Sequence, residues 1–161
     1  MGYQTYFDGE FNISPPLTQK DNEFLTKLAG TRRMKRKGLG KEFGKDGEFF
    51  VDGGGDAGQA DEPSVVDFNT PPGTQPGLWC LWVPTEDGKR LVWDEGEKFY
   101  EYVPWIKYLI VKILEPRGYT VHGEVFWEGE ESGDKGIIVV KKNKVSTRKA
   151  KPVSYGRARR A

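Results

Sequence analysis

The sequence predicts an α+β domain in which two helices cover one face of an antiparallel sheet. Three observations carry that expectation. Residues 78–83 and 91–93 are apolar runs separated by turn residues 84–89, and Asp87-Gly88 is a strong hairpin signal because glycine tolerates the positive φ of tight turns. Phe99, Tyr102, Val103, Ile106, Leu109, Ile110, Ile113 and Leu114 then recur at steps of three and four, which places them on one face of a helix. Finally, the order of elements is strand, helix, insertion, strand, strand, helix, strand and C-terminal hairpin. That order matches the split β-α-β arrangement of ferredoxin-like folds.

The elements follow in order. Residues 3–14 have the aromatic and β-branched content of a strand, ended by Pro15-Pro16. Thr18 is placed to cap a helix, with Asp21 favourable near its positive end. Phe24, Leu25 and Leu28 form the apolar side of that helix. Residues 38–76 are rich in glycine and proline, and are expected to form a long irregular insertion with strand-like runs at 48–51 and 65–68. After the central hairpin and helix, Pro116 and Gly118 stop the helix. Residues 119–128 alternate as a strand, and 136–140 and 145–147 return as a hairpin. The expected organisation is one domain over 1–149, with 38–76 inserted and 150–161 a basic, disordered tail. A short theme recurs as Gly9-Glu10-Phe11, Gly47-Glu48-Phe49 and Gly123-Glu124-Val125, too brief to define a repeat.

A chain of 161 residues suits one domain with a sizeable core. No apolar run approaches membrane-spanning length, and the first residues lack a signal-peptide pattern, so a cytoplasmic protein is expected. Cys80 is the sole cysteine, which excludes an internal disulfide and a cysteine-based zinc site within one chain. The net charge of +1 hides an asymmetry. Residues 141–161 hold nine basic residues and no acidic ones, leaving 16 basic and 24 acidic residues in 1–140. An acidic body with a basic tail is an interaction signature.

Catalytic motifs are weak. Gly53–Gly58 fits a dinucleotide-binding glycine pattern, but Pro63 forbids the helix such a site needs. Glu124, Glu128, Glu130, Glu131 and Asp134 crowd one strand and turn, where oxygen ligands could hold Mg²⁺ or Ca²⁺, although a solvated acidic turn explains them as well. Any triad would have to use His122, the only histidine, which lies on a mostly polar strand face. No catalytic residue, metal ligand or cofactor is assigned.

The basic segments are the candidate binding residues. Arg32, Arg33, Lys35, Arg36 and Lys37 form one cluster. Lys144, Arg148, Lys149, Lys151, Arg157, Arg159 and Arg160 form the other. Such groups neutralise phosphates or dock on an acidic protein. Conversely, the acidic body could occupy a groove that normally holds nucleic acid.

Two stretches carry a resemblance. Met1-Gly2-Tyr3, Gly9-Glu10 and Ile13-x-Pro15-Pro16-Leu17 at one end resemble a family of small uncharacterised proteins from phages, prophages and actinobacteria. So does Gly123-Glu124-Val125-x-Trp127-x-Gly129-Glu130-Glu131-x-Gly133-Asp134 at the other. More distantly the chain is similar to YubB-type ferredoxin-like proteins of plasmids and phages. The resemblance implies a ferredoxin-like fold and a mobile-element origin, with no assigned activity or site. The resulting expectation is a non-enzymatic phage or prophage protein that binds a host protein or nucleoprotein complex, with anti-defence inhibition as one form of that binding. The alternatives are a nucleic-acid-binding accessory protein using the basic tail and a metal-dependent enzyme using the acidic turn 124–134.

Overall fold

The computed structural model describes residues 2–51 and 63–149. Its centre is a six-stranded antiparallel sheet. The strands are β1 (Thr5–Ser14), β4 (Trp82–Pro84), β5 (Arg90–Trp93), β6 (Thr120–Gly129), β7 (Lys135–Lys141) and β8 (Lys144–Lys149). Their spatial order is β4-β5-β1-β6-β7-β8. Two longer helices are present, α1 (Gln19–Ala29) and α2 (Tyr102–Leu109). Among the described residues no helix is long and apolar enough to cross a membrane.

Alternation along the strands decides which face is buried. Phe7, Phe11 and Ile13 of β1 share a face with Leu91, Val121, Val125, Ile138 and Val140, by the register of the ladders. These residues join Leu25 and Leu28 of α1, and Trp105, Ile106 and Leu109 of α2, in one apolar cluster. Both helices therefore lie on the same side of the sheet. A knot of rings fills the end nearest β4: Phe7 packs edge-on to Trp82 and Tyr102 at centroid distances of 5.3 and 5.0 Å.

β1 and β6 pair over ten residues, from Thr5 opposite Gly129 to Ser14 opposite Thr120. Two of the recurring tripeptides meet here. Gly9 stands opposite Val125, Glu10 opposite Glu124 and Phe11 opposite Gly123. Gly9 and Gly123 have φ of +122° and +152°. A Cβ on Gly9 would come within 2.5 Å of the Glu124 carbonyl oxygen, and one on Gly123 equally close to that of Glu10. The strands approach backbone to backbone at both points, which only glycine permits.

The first helix starts as its sequence predicts. The Thr18 side chain accepts a hydrogen bond from the Asp21 N–H at 3.1 Å. Gly30 follows the last residue and donates to the Thr26 and Lys27 carbonyls. The second helix starts later than the apolar periodicity suggests, at Tyr102, with Pro104 in its first turn where no N–H is needed. Its end widens over Ile110–Leu114, where the Glu115 N–H donates to the Ile110 carbonyl five residues back.

Two apolar runs depart from the strands expected of them. Residues 78–81 precede β4, and their carbonyls serve the body of the chain: Leu78 accepts from the Arg33 N–H, and Leu81 from the Asp94 N–H. Residues 48–51 are not a strand. They follow two single 3₁₀ turns, Lys41–Phe43 and Lys45–Gly47, because Glu48 is drawn inward by a polar network described below. A two-stranded ribbon instead pairs β2 (Lys35–Arg36) with β3 (Val65–Asp67).

Candidate interaction surfaces

The face of the sheet turned away from both helices is open and charged. Its register-matched rows run across the strands. One row holds Glu10, Glu124, Val139 and Ser146. The next holds Asp8, Phe126, Ile137 and Arg148. Another holds Tyr6, Glu128 and Lys135. Tyr6 is 56% exposed, and Asp8, Asn12, His122, Glu124 and Glu128 are also exposed. Acidic residues concentrate on the two central strands, while Lys141, Lys144 and Arg148 place positive charge on the β7–β8 side.

The central glutamates are each drawn to an arginine on their outer flank. Arg90 lies 3.4 Å from Glu10, and Arg148 lies 3.6 Å from Glu124. Each central glutamate is thus paired with an arginine reaching in from a neighbouring row, Arg90 from the row of Asn12 and Arg148 from the row of Asp8. All four side chains are substantially exposed, so each pair contributes little to stability and is weakened by salt.

The predicted basic residues divide. Lys144, Arg148 and Lys149 are exposed on β8, the edge strand of the sheet. They belong to the fold rather than to a detached tail. Lys151, Arg157, Arg159 and Arg160, with the predicted tail 150–161, lie outside the described residues, as does the glycine motif at 53–58. In the upstream cluster only Lys37 is exposed, while Lys35 is half-buried. Arg32 stacks on Phe68 at 4.0 Å, and its Nε donates to the Phe68 carbonyl. Arg36 stacks on Phe50 at 4.0 Å, donates to Ser64 Oγ and is 4% exposed.

Arg33 is 1% exposed. Of the expected binding cluster, Arg33 and Arg36 are therefore buried. Both guanidinium groups turn into the chain, where aromatic faces and carbonyls receive them.

Arg33 anchors a buried polar network. Its Nε donates to Gln75 Oε1 at 3.0 Å, and a terminal nitrogen donates to the Glu48 carbonyl at 2.8 Å. The Gln75 amide donates to the same carbonyl and to Tyr108 Oη. Tyr108 Oη in turn donates to the Glu48 carboxylate at 2.9 Å. Burial brings the Arg33 pKa down to about 10 and pushes that of Tyr108 well above its ordinary value, since both charged forms lose hydration. The network ties residues 33, 48, 75 and 108 together across the chain.

The remaining chemical candidates are accounted for by local structure. Cys80 is buried, and loss of hydration raises its thiol to about 12, far from a reactive thiolate. His122 is exposed. In the acidic turn, Asp134 accepts from Tyr3 Oη at 2.6 Å and from Trp127 Nε1 at 3.0 Å. Glu130 accepts from the Gln4 N–H. These bonds staple the turn to the start of β1. Among the described residues no three histidine, cysteine or acidic side chains gather where they could hold a metal ion.

No protein-family model, curated protein or solved structure matches this chain. Its function must therefore be argued from its own surfaces.

Proposed function

We propose that this chain is a non-enzymatic binding protein that docks its open sheet face on a host protein or nucleoprotein complex. The observation that carries this reading is the uncovered face itself. Asp8, Glu10, Glu124 and Glu128 line its central strands beside Tyr6 and Phe126. Acidic side chains flanking aromatic ones suit a partner with a basic, nucleic-acid-handling surface, because complementary potentials steer and orient association. An inhibitor of a defence system would act this way, by covering a groove that otherwise holds nucleic acid. The strand order β4-β5-β1-β6, antiparallel throughout, supports reading the core as a ferredoxin-like split β-α-β unit. The resemblance to phage and prophage proteins supports action within a bacterial cytoplasm.

A second reading rests on β8. Lys144 and Arg148 share the open face with Lys141, and basic residues continue beyond Lys149. Direct contact with phosphates would use this edge. Because β8 is a strand of the sheet, shortening the chain after Asn143 would damage the fold. Ending it after Lys149 removes only the later basic residues. Titrations with duplex DNA, single-stranded DNA and RNA at two salt concentrations separate the readings. Tight, steeply salt-dependent binding that weakens in a chain carrying Lys144→Ala and Arg148→Ala, or in the chain ending at Lys149, favours direct nucleic-acid contact. Absence of binding at low salt favours the protein partner.

A further inference from the structure

We propose that the open sheet face packs against the same face of a second copy of this chain, forming a two-fold dimer. The face is divided by charge. On β1 and β6 its charged side chains are Asp8, Glu10, Glu124 and Glu128, all acidic. On β7 and β8 they are Lys135, Lys141, Lys144 and Arg148, all basic. An apolar seam lies where the two halves meet. Phe126 of β6 stands opposite Ile137 of β7, and Val139 follows on the same face. All three lie outside the core cluster on the helix side. Tyr6 adds a ring that is 56% exposed. An apolar centre with a charged surround is the usual anatomy of an interface.

Symmetry turns this division into complementarity. A surface that pairs with itself presents to each patch whatever the two-fold axis brings over it. An axis lying in the interface, along the boundary of β6 and β7, sets β6 over β7 of the second copy and β1 over its β8. Each register row keeps its level. Asp8, Phe126, Ile137 and Arg148 form one such row. Asp8 then meets Arg148 of the second copy, and Phe126 meets its Ile137. Arg148 already lies 3.6 Å from Glu124 of its own chain, and a guanidinium has donors for both carboxylates. In the row to one side, Glu128 meets Lys135. To the other side, Glu10 and Glu124 lie one row, about 7 Å along the strand, from Lys144 and Lys141 of the second copy. Every contact occurs twice. Joining two copies edge to edge through β8 would instead crowd Lys144, Arg148 and Lys149 against the same residues. Four strands about 4.8 Å apart and about seven residues long present about 450 Å² in projection. That is near the low end for specific interfaces, so the dimer is weak and forms with concentration.

A second copy and the docking partner compete for one face, so partner binding displaces the dimer. The inference uses that face but does not need that partner. The test is sedimentation equilibrium of the full chain from low to high micromolar concentration. A monomer–dimer equilibrium that weakens with added salt is expected. Asp8→Arg or Arg148→Asp alone sets like charges together at two places, and each should weaken association roughly 10-fold or more. An equimolar mixture of these two variants regains an opposite pair at both places. Its heterodimer should therefore form with close to native affinity, which also shows that both variants are folded. The proposal is overturned if the native chain stays monomeric at every concentration, or if each variant alone associates as tightly as the native chain. A mixture that associates no better than either variant alone overturns it too. The two readings fail separately, because this measurement uses the pure chain and docking is tested against a lysate.

Discussion

Glu10 and Glu124 stand directly opposite each other on β1 and β6, each turned to its own arginine on the far side. Like charges in register repel. A double-mutant cycle with Glu10→Gln and Glu124→Gln isolates that term from the loss of each arginine contact. We expect an unfavourable coupling of about 0.5 kcal/mol at low salt, measured by urea denaturation, which fades as ionic strength rises. A favourable or salt-independent coupling would mean that the two carboxylates are not held as neighbours.

The two glycines flanking that pair are the most sensitive positions of the sheet. Gly9→Ala or Gly123→Ala adds a Cβ into the facing strand's backbone at a φ that other residues rarely adopt. Each should cost about 3 kcal/mol of unfolding free energy. Gly133→Ala provides the contrast. It also has positive φ, but its Cβ would meet nothing within 4 Å, so about 1 kcal/mol is expected. Equal losses at all three would remove the close strand approach from the explanation.

Gln75 holds the buried network through both ends of its amide. Gln75→Ala leaves Arg33 Nε without its acceptor and takes a donor from the Glu48 carbonyl. A loss of about 2 kcal/mol follows from stranding buried polar groups. Gln75→Glu keeps an acceptor for Arg33 Nε but turns an oxygen on the Glu48 carbonyl, so it should not recover the stability lost in Gln75→Ala. The comparison is made by thermal denaturation near neutral pH, where Arg33 is charged.

Asp21 links the first helix to the segment after the second. Burial raises its pKa, but hydrogen bonds from Tyr119 at 2.6 Å and Arg117 at 2.7 Å prevail and hold it below the ordinary value of 3.8. A group depressed in the folded state stabilises above its unfolded pKa, and that stabilisation is lost as pH falls through the folded value. Asp21→Asn should therefore be less stable at pH 7, by about 1 kcal/mol. The gap should narrow below about pH 4. A gap that stays constant on acidification would contradict the linkage.

Much of the sheet was legible because its signals are local. The alternation in residues 119–128 marks β6 and its buried face, and Thr18 marks the start of α1. The paired tripeptides around Glu10 and Glu124 were visible as a theme, but only the register explains it: both glycines are needed where the strands meet. The basic cluster misled at Arg33 and Arg36, because a run of charges carries no sign of distant phenylalanines or of Gln75. Residues 48–51 read as a strand, yet Glu48 is claimed by Tyr108, sixty positions along.

We propose the open sheet face as the docking surface. The most direct test is affinity capture from bacterial lysate by the native chain and by a chain carrying Asp8→Asn, Glu10→Gln and Glu124→Gln, with both shown to be equally folded. We expect a stoichiometric basic partner on the native chain, largely absent from the variant. The same partner retained equally by both chains would contradict the central claim, and so would a native chain that retains none.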